Sequence, residues 1–157
     1  PTHLMNHEVK RSLQTADIRV IYHAHTTNTI ALTFVLPLDD KVFTRELWES
    51  ATEAGCFPDG VGVVGWMVPG GREIAVKTAE LMKKYDVVIW HITECFAPVR
   101  TLPDLWPSPY SREVGRNSGE GNVHAPRKLQ TITPDDFRAV AKDFHVTLPE
   151  EFLYEKE

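Results

Sequence analysis

Apolar positions recur along this chain in two spacings, and the shifts between them mark out its elements. Ile18, Val20, Ile21 and Tyr22 lead into His23-Ala24-His25 and a polar turn, Thr26-Thr27-Asn28, which predicts a buried strand and its exit. Residues 29–36 are a continuous apolar run closed by Pro37. Periodicity does not separate strand from helix over so few residues, but a capping Asn28, or one of the threonines before it, favours helix. Over residues 43–53 Leu47, Trp48 and Ala51 fall on one helical face, with Thr44 as the expected cap. Pro58-Asp59-Gly60 supplies turn chemistry ahead of a strand at 61–64, and residues 66–71 make a second turn. The clearest helix follows at 72–85, with Ile74, Thr78, Leu81 and Met82 on its apolar face, and then a buried strand at 86–90. Strand, helix and strand in this order predict an α/β or α+β layered domain.

The two ends of this pattern are less regular. In residues 1–11 the apolar positions are sparse; a short helix is compatible with them, and His3 and His7 read as exposed or capping residues. From 91 to 128 the text holds five of the eleven prolines, with Gly115, Gly119 and Gly121, and keeps neither period. An irregular, exposed segment is expected there, leaving the sheet beside Val87–Ile89 partly uncovered. Thr133-Pro134-Asp135-Asp136 then combines a capping threonine, a first-turn proline and two acids on the helix dipole, and Phe137, Val140, Ala141 and Phe144 form the face that helix buries.

Composition narrows the class. The chain's 157 residues are enough for one core, and 42% hydrophobic with 25% charged residues is ordinary for a globular domain. A net charge of −5 without a basic run argues against a nucleic-acid or anionic membrane surface. No apolar run is long enough to span a membrane. Two cysteines, Cys56 and Cys95, make no disulfide framework, so a reducing cytoplasm is the simplest setting. The chain begins at Pro1 rather than methionine and is expected to be a fragment.

Candidate chemistry centres on His23 and His25. Side chains two apart on a strand leave the same face, so both imidazoles emerge together at the strand's end. Such a pair can supply two nitrogen ligands to a divalent cation, for which zinc is well suited, or stand as hydrogen-bonded surface histidines. His91, directly after the strand at 86–90, is a weaker third candidate.

Several segments together resemble one family. Residues 20–28, Val42-Phe43-Thr44-Arg45-Glu46-Leu47-Trp48-Glu49, Thr52-Glu53, Phe57-Pro58-Asp59-Gly60-Val61-Gly62 and Trp66-Met67-Val68-Pro69-Gly70 are similar to the rhamnulose-1-phosphate aldolase family, within the zinc-dependent class II aldolase/adducin group. The resemblance covers residues 1–90 and 129 to near the C-terminus. It implies a three-layer α/β/α fold, here incomplete, with residues 1–157 as the C-terminal portion of a single aldolase domain. It also implies a homotetramer that cleaves L-rhamnulose 1-phosphate to dihydroxyacetone phosphate and L-lactaldehyde. By the same resemblance His23 and His25 are two of three histidines holding Zn2+, which acts as a Lewis acid. Glu53 becomes an acid/base or orienting carboxylate at the aldehyde end, across a subunit interface. A related sugar-phosphate aldolase or epimerase, and a non-catalytic adducin-like interaction module, are the alternative readings; the Trp-Met-Val-Pro-Gly segment argues against the first.

Two departures qualify the match. Pro1-Thr2-His3 fits only the end of the family's Ser-Glu-x-Pro-x-His segment, so its catalytic glutamate and the roughly 115 residues before it, a domain-sized stretch, are not in this sequence. Where the family has Pro-x-His-Gly-x-Phe after the position of Trp90, this chain has His91-Ile92-Thr93-Glu94-Cys95-Phe96, with Thr93 at the place of the third histidine. Codons for that stretch shifted by one base permit Pro-Tyr-His-Gly-Val-Phe, and the other shifted frame permits an amphipathic helix between Trp106 and His124. Residues 91–128 are therefore expected to be a frameshifted reading of a real gene, and the chain as written is expected to be inactive.

Overall fold

The structure, a computed structural model, describes residues 2–13, 18, 20–49, 57–99 and 134–153, without the side chains of 98, 99, 140, 143 and 144. In chain order its elements are α1 (Thr2–Ser12), β1 (Val20–Ala24), α2 (Thr27–Val35), α3 (Asp40–Glu49), β2 (Val61–Val64), α4 (Arg72–Leu81), β3 (Val87–Trp90), β4 (Cys95–Val99) and α5 (Pro134–Phe144), then a 3₁₀ turn at Glu150–Phe152. The strands form one sheet in the order β1-β4-β3-β2. β2 and β3 run parallel, joined through α4; β3, β4 and β1 are successively antiparallel.

Alternation along the strands divides the core in two. Ile21, Val88, Trp90 and Phe96 pack with Ile74 of α4, with Met82 at its C-cap and with Val9 of α1. Ala24, Val61 and Ile89 face the other way, toward Leu32, Phe43, Leu47 and Trp48 of α2 and α3, Phe137 of α5 and Phe152. Helices thus cover both faces, the three-layer α/β/α arrangement expected from the resemblance. Thr78 sits fully buried on the apolar face of α4 because its hydroxyl accepts the Trp90 indole N–H at 2.8 Å.

The apolar run at 29–36 is helical through Val35, as expected, and Leu36 is the extended C-cap of α2, because the following proline disfavours another helical residue. Thr26 takes the N-cap position but makes no capping hydrogen bond; its hydroxyl donates to the Cys95 sulfur at 3.6 Å instead. The next helix starts earlier than expected. Asp39 caps α3, its Oδ1 accepting the backbone N–H groups of Lys41 and Val42 at 2.9 and 3.1 Å. Thr44 is not the cap. It is buried within α3, and its hydroxyl accepts the Val61 N–H at 2.9 Å while Asp40 Oδ1 accepts that of Val63 at 2.7 Å. Both N–H groups belong to the outer strand β2, so α3 occupies donors that would otherwise invite edge pairing. Gly60 permits this approach: its φ is +84°, and a Cβ there would meet Thr44 Oγ1 at 2.6 Å.

The expectation of an irregular segment from residue 91 is corrected at its start. Cys95–Val99 is a strand inserted between β1 and β3, and Cys95 and Phe96 are buried. Its apolar run is too short to show a period; partners on both sides fix it. Pro98 fits because it pairs with Ile21 of β1 beyond the last residue pairing with β3, so fewer ladder donors are required of it. Nor is the sheet uncovered beside it: Val88 and Ile89 are fully buried and Val87 half-buried. The remainder of the segment expected to be irregular, residues 100–128, and the capping Thr133 lie outside the described residues.

α1 forms despite its sparse apolar positions because polar contacts anchor it. Lys10, buried, reaches across to Asp86 Oδ1 at 2.6 Å and donates to the Tyr85 carbonyl at 3.2 Å. That anchor holds α1 against α4 and places its first turn over the end of β1.

Candidate metal site

β1 delivers His23 and His25 as its alternation requires, with ring centroids 5.4 Å apart. What joins them is set by β4. In the antiparallel register His23 lies opposite Phe96 and Ala24 opposite Cys95. Glu94, two residues before Phe96 and on the same face, therefore falls beside both histidines. Its Oε2 is 3.5 Å from His23 Nε2 and its Oε1 3.8 Å from His25 Nε2. One donor atom from each of the three residues lies within 4.8 Å of the others. Among the described residues this is the group of histidine, cysteine and carboxylate side chains able to hold a metal ion. The Glu94 side chain is 16% exposed and that of His25 is 67% exposed, so the carboxylate forms the floor and the site opens to solvent.

Neighbours orient each group. His25 Nδ1 is 2.8 Å from the Thr93 carbonyl, which can only accept, so the proton of the neutral ring sits on Nδ1 and leaves Nε2 bare toward Glu94. The His23 ring stacks on Phe96 at 5.1 Å. On its other side His23 Nδ1 meets His3 Nε2, from the first turn of α1, at 3.4 Å. Burial first, and then the neighbouring His23, lower the pKa of His3 below the ordinary histidine value. A neutral imidazole with its proton on Nδ1 accepts at Nε2, the atom His3 turns toward His23.

The β3–β4 hairpin that carries Glu94 is tight. Trp90 N–H donates to the Glu94 carbonyl at 2.7 Å, which closes a three-residue loop of His91, Ile92 and Thr93. Ile92 has φ of +76°, a conformation unfavourable for a β-branched residue, and its N–H donates to Thr33 Oγ1 of α2 at 3.3 Å. Ile92→Gly should relieve about 1–2 kcal/mol of this strain. The added freedom of glycine in the unfolded chain takes back roughly 0.5–1 kcal/mol. The urea midpoint is thus expected to hold or rise slightly; a loss above about 1 kcal/mol would show that the hairpin does not strain Ile92.

The candidates from the sequence separate here. His23 and His25 come together. His91 does not join them: its N–H donates to the Val64 carbonyl at 2.9 Å and its ring packs on Phe34 at 5.8 Å. Thr93, at the expected place of the third histidine, contributes its backbone oxygen. Glu53 and Cys56 lie outside the described residues. Glu94 and His3 are the residues that sequence reasoning missed. Glu94 depends on strand pairing, its one sequence signal being the apolar run right after it, and His3 depends on the docking of α1. A separate cavity of about 530 Å³, lined by Asp40, Val63, Lys77, Lys84 and Tyr85 among others, includes none of the site residues.

Two imidazole nitrogens and a carboxylate oxygen are the donor set of a class of catalytic zinc sites, which leave further positions open. The residues present therefore fit a divalent cation. No helix of the described residues is long and apolar enough to cross a membrane.

No family profile matches the sequence. Individual proteins do. The chain is 43% identical over 148 residues to the rhamnulose-1-phosphate aldolase of Mannheimia succiniciproducens, covering 94% of this chain and 54% of that protein. It is 40% identical to the protein of the same name from Klebsiella pneumoniae, covering 93% and 53%. It is 38% identical to that of Escherichia coli, covering 94% and 54%. The chain thus spans about half the length of the curated relatives it matches. In three dimensions it resembles a sugar-phosphate aldolase from Thermotoga maritima, with a TM-score of 0.68 at 22% identity over 82% of this chain and 54% of that one. It also resembles an L-fuculose 1-phosphate aldolase, with a TM-score of 0.58 at 18% identity over 92% and 63%. At these identities the structural likeness shows the fold alone.

Proposed function

The chain is homologous along nearly its whole length to rhamnulose-1-phosphate aldolases, and on that premise we propose that it is part of a zinc-dependent aldolase acting on L-rhamnulose 1-phosphate. The products are dihydroxyacetone phosphate and L-lactaldehyde. The observation that carries this reading is the convergence of His23, His25 and Glu94 at the end of β1. In this chain Glu94 supplies the third donor that the resemblance assigned to a histidine. That the sequence relatives are rhamnulose-1-phosphate aldolases favours this substrate over those of other sugar-phosphate aldolases or epimerases.

A zinc ion bound there supplies Lewis-acid stabilisation of negative charge developing on a substrate oxygen. The chain's own residues prepare the place for it. Thr93 holds the proton of His25 on the nitrogen facing away from Glu94. Phe96 fixes the plane of the His23 ring. Glu94, largely buried, places its carboxyl group at the floor, while the exposed side of His25 leaves room for a phosphorylated sugar to approach. The resemblance extends the proposal to a cytoplasmic homotetramer in which Glu53 acts at the aldehyde end.

Calorimetric titration tests this. Dihydroxyacetone phosphate should give a binding heat with the zinc-loaded chain that a chelator abolishes; equal heats with and without zinc would sink the reading. Glu94→Gln should weaken zinc uptake by more than the roughly 10–100-fold typical of losing an outer partner, because a direct donor is removed. A polypeptide of these 157 residues alone should still turn over substrate poorly. It has no counterpart of the family's catalytic glutamate, and general-base catalysis typically contributes about 10²–10⁴-fold. Coupled detection of dihydroxyacetone phosphate release measures it.

A further inference from the structure

We infer that His3 is a positioning residue for the metal site, accepting the Nδ1 proton of His23 so that His23 presents a bare Nε2 to the cation. The inference rests on the reading of His23, His25 and Glu94 as metal donors and extends it to a residue outside that set. It follows from comparing the two histidines. A neutral imidazole carries one proton, and it can ligate through Nε2 only if that proton is on Nδ1. For His25 the Thr93 carbonyl enforces this at 2.8 Å. For His23 the Nδ1 contact is His3 Nε2 at 3.4 Å, on the side of the ring away from Glu94.

The geometry excludes His3 from the donor set itself. Its Nε2 approaches His23 Nδ1 rather than the Nε2 that faces the carboxylate, and its ring packs edge-on against Phe96 at 5.5 Å. It reaches there because α1 is clamped to the sheet by Lys10, two turns further on, through Asp86 and the Tyr85 carbonyl. A cation competes with Glu94 for the His23 proton: in its absence a proton on Nε2 can face the carboxylate, while in its presence that proton must move to Nδ1. His3 gives the moved proton an acceptor, and the 3.4 Å contact has room to shorten when it does. Outer partners of ligating histidines characteristically act in this way.

Competition with a chromophoric chelator, using zinc alone and the full chain, tests the inference on the unchanged protein, His3→Ala and His3→Gln. His3→Ala should bind zinc about 10–100-fold more weakly, and His3→Gln, whose side-chain oxygen can accept the same proton, should recover most of that loss. Imidazole nitrogen shifts of the zinc-loaded protein should report His23 ligated through Nε2 with its proton on Nδ1. Circular dichroism identical across the three proteins would assign the change to the site rather than to folding. Equal zinc affinity with and without His3 would overturn the inference and leave the metal reading standing, as would a His3→Gln chain no tighter than His3→Ala. A chain with His3 in place that takes up no zinc overturns the metal reading, and the inference with it.

Discussion

His23→Ala should abolish stoichiometric zinc uptake by this chain. It removes one of three converging donors, and with it the ring that His3 and Phe96 hold in place. The remaining His25 and Glu94 have donor atoms 3.8 Å apart, with His25 largely exposed, and two donors bind far more weakly than three. The effect should exceed that of His3→Ala, which leaves all three donors present. Because His23 lies at the open end of β1, the substitution should cost little stability, so lost metal with unchanged circular dichroism is the expected signature. The same change made in an intact homologue at the corresponding histidine should remove most aldolase activity. Full activity in a metal-free His23→Ala enzyme would end the assignment.

Trp48→Ala should produce the largest loss of stability. Trp48 is fully buried on α3, with ring contacts to Phe137 of α5 at 5.6 Å and to Phe152 at 5.4 Å. It joins segments nearly ninety residues apart, so no local rearrangement can fill the space it leaves. Aromatic-to-alanine changes in such cores cost about 3–5 kcal/mol, a large share of the roughly 5–15 kcal/mol that holds a domain together. Trp48→Phe should behave differently. The Trp48 indole N–H is buried with no hydrogen-bond partner among the described residues, a penalty of about 1–3 kcal/mol that phenylalanine removes. That gain should offset much of the smaller cavity. Urea unfolding of both variants measures the contrast, and equal losses would show that the indole N–H is satisfied in the folded protein.

Much of the fold was legible because its signals are local. The β-branched run of β1, the proline after Leu36, the Pro-Asp-Gly turn before β2, the apolar face of α4 and the Pro-Asp-Asp start of α5 each act within a few residues, through sterics, capping or turn geometry. Alternation on β1 likewise placed His23 and His25 on one face before any partner strand was known. Pairing and packing were not legible. Thr44 looks like a helix cap in sequence, but tertiary contact turns it into an acceptor for an edge-strand N–H, and Asp39 takes the cap. Residues 95–99 carry no period of their own and become a central strand because β1 and β3 take their hydrogen bonds on either side. From that register alone follow Glu94 beside the two histidines and, with α1 clamped by Lys10, His3 behind His23. The sequence by itself determined which side chains leave β1 together. Which side chains meet them was decided by strand register and helix docking, because those depend on residues up to about seventy positions away and no local pattern encodes them.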